Sequence, residues 1–414
     1  MNEDALDKAR AVNAAIARNY DALVYETQPA EIGSALDPAP VLGLAGLYGC
    51  ASARSDAADV LDLGCGTGTQ LLQVGSQTRG HVVGVDISEI ACERARIRCA
   101  KLGDRAKILR ADFLDLNPDT LGRFDLIYHI GVIFVTPAPV QARILELIGR
   151  CLKPGGAAVL TYYAGSLPLI RQSLHRLLRT TVDPLLGKDA NIKRARQRLE
   201  EIAAALPAAG PHRPVLAQAL DYARTQADRL FFHEALNHAF AVLNTGDLEA
   251  ALAPHGVQFL DYVTPTAFGA LPTSTQRALA ADVVDFASGG SYRYAVFGKP
   301  AAGGGAFSFQ SPGVRWKSDL TRSAPDRNYD GAAAYKHRVT KLEAQILRPE
   351  TQAAVDVMAG GPASWPKLIA GVTAQLAARG RFIVGDPASA LEPDLLELWR
   401  NRLVTPLWMP EVPG

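Results

Sequence analysis

The chain has 414 residues, with 43 basic and 42 acidic side chains and a formal net charge of +1. At roughly 150 residues per domain this length predicts two or three domains. An apolar share of 48% with 21% charged residues is ordinary globular usage, which excludes disordered, collagen-like and coiled-coil chains. The balanced charge argues against a nucleic-acid partner. No apolar run reaches the ~18 residues of a membrane span, so a membrane is not an expected partner either.

The opening MNEDALDKAR is charged and has no apolar stretch, so no signal peptide is expected. Cys50, Cys65, Cys92, Cys99 and Cys151 all lie in the first 151 residues, odd in number and without metal-ligand spacing. They read as reduced thiols of a cytoplasmic protein with no metal site. Trp316, Trp365, Trp399 and Trp408 lie in the last hundred residues, which predicts that the two ends of the chain are different modules.

Residues 1–18 predict an amphipathic helix with Leu6, Val12 and Ile16 on one face, and 19–40 are rich in turn formers. Together, 1–40 form a lid-like segment. From Asp59 strands and helices alternate. Val60 to Leu63 is an apolar strand ending in a glycine loop, and Thr69 to Val74 opens a helix. His81 to Val85 is a second strand, followed by a helix capped by Ser88 and running to about Leu102. Lys107 to Leu109 is a third strand and Phe124 to Ile130 a fourth. Pro139 to Leu152 is a helix broken by Lys153-Pro154-Gly155-Gly156, and Ala157 to Tyr163 is a fifth strand. Near-continuous apolar strands alternating with helices mean an α/β fold, a parallel sheet covered on both faces.

The alternation stops at Gly165. Residues 166–245 read as a helical insert, with Arg171, Arg176, Arg179, Lys188, Lys193, Arg194, Arg196 and Arg198 set against Asp183 and Asp189. Such charges form a solvated face, a contact for an acidic acceptor, or a dimer contact; a homodimer through this insert is one expectation. Residues 246–300 resume the α/β pattern, with a helix at Asp247 to Ala253 and strands at Val257 to Val263 and Ser291 to Phe297. Lys299 to Gly305 reads as a linker. The last segment, 306–414, predicts a short strand at 307–309 and helices near 335–347, 350–359, 365–379 and 393–403.

The sharpest signal is VLDLGCGTGTQ, Val60 to Gln70. A buried strand delivers Asp62, then Gly64, Cys65, Gly66 and Gly68. Glycines let the backbone turn and approach a nucleotide closely, and a carboxylate beside them suits a ligand amino group rather than a pyrophosphate. Asp86, followed by Ile87, ends the second strand, where a carboxylate accepts from ribose hydroxyls. Asp112 and Phe113 follow the third strand, an acid for an adenine amino group beside an apolar cover. His129 and Gly131 end the fourth strand, where ligands of open α/β sheets bind.

In this order the motifs resemble those of class I S-adenosylmethionine-dependent methyltransferases, over about residues 57–165. The resemblance implies a Rossmann-like seven-stranded sheet whose last strand is antiparallel, an insert forming a helical cap, the cofactor S-adenosyl-L-methionine and the product S-adenosyl-L-homocysteine. Tyr20, Asp62, Gly64, Cys65, Gly66, Gly68, Asp86, Ile87, Asp112, Phe113 and His129 are the expected cofactor-binding residues. NYDALVYETQP (Asn19 to Pro29), FFHEAL (Phe231 to Leu236), HGVQFL (His255 to Leu260) and DLLELWRNRLV resemble segments of bacterial methyltransferases with a methyltransferase regulatory domain and a winged-helix-like C-terminal tail. That group includes rickettsial protein lysine methyltransferases.

Methyl transfer is an in-line displacement that needs alignment and exclusion of water, and a base only where the acceptor must first lose a proton. The candidate catalytic residues are His129 as base, Tyr163 at the end of strand five, and Tyr25, whose ring with that of Tyr20 can face a sulfonium. Tyr162 and Tyr163 alternate faces, so one of them faces the pocket. His233 and Glu234 are adjacent on a helix and point different ways. Tyr162-Tyr163 stands where the resembled group carries Tyr-Asn, and His129 is one place out of register. These departures surround the acceptor pocket. They favour a nucleophilic N or O of a small metabolite or natural-product intermediate as acceptor. The alternative is a lysine-type amine of a protein or peptide, and the second alternative a non-catalytic cofactor-binding regulator.

Overall fold

Seven strands build the central sheet in the order β3-β2-β1-β4-β5-β7-β6. The computed structural model describes residues 3–26, 34–50, 54–264, 266, 271–301, 306–323, 329 and 331–410. A long first helix, α1 (Glu3–Ala22), runs further than the apolar spacing alone suggests. α2 (Pro38–Leu47) follows, starting at the end of the 19–40 segment expected to be turns and running beyond it. Its PAPVLGLAGL is apolar all round and almost wholly buried, so it has no amphipathic period to read.

The core then alternates. β1 (Val60–Leu63), α3 (Thr69–Gly75), β2 (Val82–Asp86), α4 (Glu89–Cys99), β3 (Ala106–Arg110), α5 (Pro118–Leu121), β4 (Phe124–His129) and α6 (Ala138–Cys151) succeed one another. Ser88 caps α4 by accepting from Ala91 N, as its position predicts. β5 (Leu152–Ala164) absorbs Lys153-Pro154-Gly155-Gly156, which was expected to be a breaker. Those residues sit where the β4–β5 register shifts, and Gly155 takes φ +84, so the strand bends there rather than ending.

The cap comprises α7 (Ser166–Arg179), α8 (Lys188–Ala204), α9 (Arg213–Thr225) and α10 (Asp228–Ala235), packed around Leu178, Leu199, Leu220 and Phe231. The sheet then finishes with α11 (Thr245–Leu252), β6 (Gln258–Tyr262), α12 (Ser274–Ala287) and β7 (Ser291–Gly298). β7 runs antiparallel to both β5 and β6, while β1 to β5 pair in parallel. This is the Rossmann-like sheet of the class I methyltransferase fold. β1 and β4 are neighbours although the order runs outward in opposite directions from them. This switch point opens a crevice at their carboxyl ends.

The C-terminal segment differs from expectation. No strand forms at 307–309. β8 (Val314–Ser318), β9 (Leu320–Arg322), β10 (Ala333–His337) and β11 (Glu343–Ile346) come first, then α13 (Pro349–Ala359), α14 (Trp365–Ala377), α15 (Pro387–Arg400) and β12 (Val404–Trp408). The helix expected near 335–347 is instead the β10–β11 hairpin. Ala333, Tyr335 and His337 point inward with period two, and Lys341 takes φ +62 in the turn. This segment packs on the N-terminal part of the chain. Trp316 and Trp408 share one apolar cluster with Leu42 and Leu47 of α2. Part of the predicted linker, 302–305, lies outside the described residues. Among the described residues no helix is long and apolar enough to cross a membrane.

Candidate functional site

A cavity of about 470 Å³ occupies the switch-point crevice and continues beneath the cap. Its floor is the loop after β1. Gly64, Gly66 and Gly68 take φ +88, +50 and +76, a backbone region that side-chain-bearing residues rarely adopt. A Cβ on Gly64 would meet Val132 Cγ2 at 2.4 Å, whereas one on Gly66 would project into open space. Gly66 is thus the point where the chain approaches a ligand most openly.

Two carboxylates face the same floor. Asp86 accepts from Gly66 N at 2.8 Å and Ser88 N at 2.9 Å, which fixes its plane. Burial raises its pKa, and those N–H groups partly offset the effect. Asp62 is 3% exposed. Lost hydration, and then the negative Asp86, push its pKa up to about 7.

Of the residues expected to bind the cofactor, Tyr20, Asp62, Gly64, Cys65, Gly66, Asp86, Ile87, Asp112 and Phe113 line the cavity. Gly68 does not line it; it caps α3 against Ala95. His129 does not line it either. It is wholly buried, its Nδ1 lies 2.7 Å from Leu63 O, and its ring faces Phe113. Burial lowers its pKa to about 4. The geometry therefore withdraws His129 as a base and as a cofactor contact: it knits β4 to β1 behind the pocket. Asp112 is already engaged, since Asn13 Nδ2 donates to both its oxygens at 2.8 and 2.9 Å. Asn13, on α1, also lines the cavity and had no local signal in the sequence.

The far end of the cavity is aromatic. Tyr163 reaches it and Tyr162 does not; Tyr162 turns to the other face, where its hydroxyl bonds Thr245 at 2.8 Å. Phe134, Tyr292 and Phe240 surround Tyr163, with ring centroids 4.9, 5.0 and 5.3 Å away. Tyr25 and Tyr294 complete this wall.

His233 and Glu234 both reach the cavity, although adjacent helical residues were expected to diverge. They close α10, where one faces the N-terminal segment and the other faces β5 and α9. The His233 ring stacks on Tyr20 at 4.3 Å and meets Tyr25 edge-on at 5.6 Å, and its Nε2 lies 2.5 Å from Leu23 O. Burial lowers its pKa to about 4, so it is neutral. Glu234 accepts from Tyr163 Oη at 3.3 Å, Tyr222 Oη at 3.2 Å and Gln226 Nε2 at 3.1 Å.

The basic insert is largely paired internally. Arg194 meets Asp183, Arg196 meets Asp228, Arg198 meets Glu201, and Arg171 lies 3.5 Å over the Tyr222 ring. Arg194 and Arg198 stay about half exposed within these pairs.

Residues 60–156 match the family model described as Methyltransferase domain. The fold is that of the class I methyltransferases, and the part of the chain that carries β1 to the start of β5 is similar to that domain family. An uncharacterized protein of Rickettsia prowazekii is 28% identical over 184 residues, covering 44% of this chain and 31% of its own length. A sterol 24-C-methyltransferase of Gibberella zeae is 37% identical over 100 residues, 23% of this chain and 25% of its own. The chain thus spans a third or less of these two curated relatives. Among solved structures, PKMT2 from Rickettsia typhi in complex with AdoHcy aligns with TM-score 0.67 and 18% identity, over 90% of this chain and 76% of that one.

Proposed function

We propose that this protein is an S-adenosylmethionine-dependent methyltransferase whose acceptor is a lysine-type amine of a peptide or protein. The observation that carries the reading is one continuous cavity. Its floor offers the carboxylates of Asp62 and Asp86 beside an open Gly66, and its far end is an aromatic chamber under the cap. That floor fits the cofactor: Asp62 suits an amino group, Asp86 a ribose, and Ile87 and Phe113 an adenine plane. When bound, the cofactor supplies a methyl group already activated by its sulfonium. The chain's own task is to align and to exclude water. Tyr20 and Tyr25 present rings that favour a cation. His233 stacks on Tyr20, meets Tyr25 edge-on and bonds to Leu23 O, which packs both rings together in the cavity wall.

The acceptor reading moves away from the small metabolite favoured by the motif departures. Support comes from the extent of the likeness. The alignment to PKMT2 covers 90% of this chain, whereas the likeness to the sterol methyltransferase of Gibberella zeae covers 23% of it.

Two measurements test this. Titration calorimetry with S-adenosylmethionine is expected to show binding that Asp86→Ala abolishes; unaltered affinity removes the cofactor assignment. Incubation with methyl-labelled cofactor and lysate is expected to place label in protein. Label confined to the low-mass fraction overturns the amine acceptor on protein or peptide.

A further inference from the structure

We propose that Glu234 is the counter-ion that selects a cationic acceptor, receiving its ammonium where the large cavity meets a small side pocket. This rests on the methyl-transfer reading and names the residue that would enforce it.

Glu234 lines both spaces. The side pocket lies between α7, α9 and α10, bounded by Arg171, His175, Tyr222 and Phe240. An ionised carboxylate has about four lone-pair sites. Tyr222 and Gln226 both donate to Oε2, while Oε1 receives only the long 3.3 Å contact that Tyr163 shares between the two oxygens. Each of these donors is neutral. The cation that acts on Glu234 from nearby, Arg171, has its guanidinium stacked on the Tyr222 ring, and among the described residues no ion pair to Glu234 forms.

A carboxylate so placed is costly without a partner of opposite charge. Burial is the leading influence on it and raises its pKa. A ligand bringing a positive charge relieves that cost, and its ammonium gives up one proton, to this carboxylate or to water, before the freed nitrogen lone pair attacks the methyl group. The walls point the same way, because Tyr25, Tyr163, Tyr292 and Tyr294 line the space in front of it, and ring faces attract alkylammonium groups. A neutral hydroxyl of the same length gains neither interaction. Tyr163 and Tyr222 act as positioning residues that aim the carboxylate.

The test uses the full chain saturated with S-adenosylhomocysteine and two probes, Nα-acetyl-lysine methylamide and its Nε-acetylated, uncharged form. Wild type is expected to bind the ammonium probe at least about tenfold more tightly. Glu234→Gln keeps the shape and the tyrosine hydrogen bonds, so it is expected to retain S-adenosylhomocysteine affinity and to lose the preference. A purely structural Glu234 would not move that ratio. Equal binding of the two probes by wild type, binding of neither, or a preference kept in Glu234→Gln overturns the proposal. Failure of wild type to bind S-adenosylhomocysteine overturns the methyl-transfer reading beneath it, and the proposal with it.

Discussion

Asp62 shows how one buried acid can make ligand affinity depend on pH. Its pKa is pushed up to about 7 by lost hydration and by Asp86. In the empty site it is therefore neutral below that pH and charged above it. A bound ammonium favours the charged form, so binding releases a proton and affinity rises with pH until Asp62 ionises. The dissociation constant for S-adenosylmethionine is expected to grow by up to ~tenfold per pH unit below about 7. Asp62→Asn should bind more weakly and lose that slope. Calorimetry across one unit either side of neutrality reads both effects, and a slope retained in Asp62→Asn assigns it elsewhere. The glycines separate a second pair of effects. Gly66→Ala and Gly68→Ala share the strain of a positive φ, of order 1–3 kcal/mol. Gly68 adds contacts at 3.1 Å with Ala95, while a Cβ on Gly66 meets nothing but the cavity. Gly68→Ala should therefore lower the unfolding midpoint more, and Gly66→Ala should cost more cofactor affinity. At this scale the sequence was legible where neighbours in the chain make the site: the loop from Asp62 to Gly68, Asp86 and Asp112. Asn13 and Tyr292 were not, because Asn13 meets Asp112 across 99 residues of chain and Tyr292 arrives only with the sheet's last strand; Glu234 was named, but not its place in the cavity, which depends on how the cap folds over the sheet.

Among elements, the sheet was readable because β1, β4 and the 157–163 part of β5 are short, largely apolar runs flanked by turn formers. Helices with one apolar face, such as α6, were readable for the same reason. α2 was not, since burial all round erases the period, and the β10–β11 hairpin was not, since its polar alternation resembles a charged helix face. α2 has a structural task that its sequence hides. It lies against β12 so closely that a Cβ on Gly43 would stand 2.3 Å from Pro406 O. That neighbour is backbone and cannot swing away. Gly43→Ala is expected to cost about 1–3 kcal/mol through overpacking, read as a lower denaturant midpoint. An unaltered midpoint would refute the docking of α2 on β12.

Across the whole molecule, buried and neutral histidines brace the sheet, the cap and the join between cap and N-terminal segment. His129 joins β4 to β1 through Leu63 O, His175 on α7 joins Asn237 O within the cap, and His233 joins α10 to Leu23 of the N-terminal segment. Burial lowers the pKa of each to about 4, against an unfolded value of 6.5. The sign follows from which state binds more protons. Between those two values the unfolded chain is protonated at these rings and the folded one is not. Their contribution to stability is therefore complete above 6.5 and is lost as pH falls toward 4. Unfolding by denaturant at a series of pH values should show stability dropping over that window. His233→Gln, which can still donate to Leu23 O and has no proton to gain, should show a shallower drop and a lower stability at neutral pH. A flat profile across the window would mean that these rings are already open to protonation in the folded protein. The cap and the N-terminal segment would then not be held over the cavity as the His233 contacts require, because a protonated His233 could not remain desolvated between Tyr20 and Tyr25.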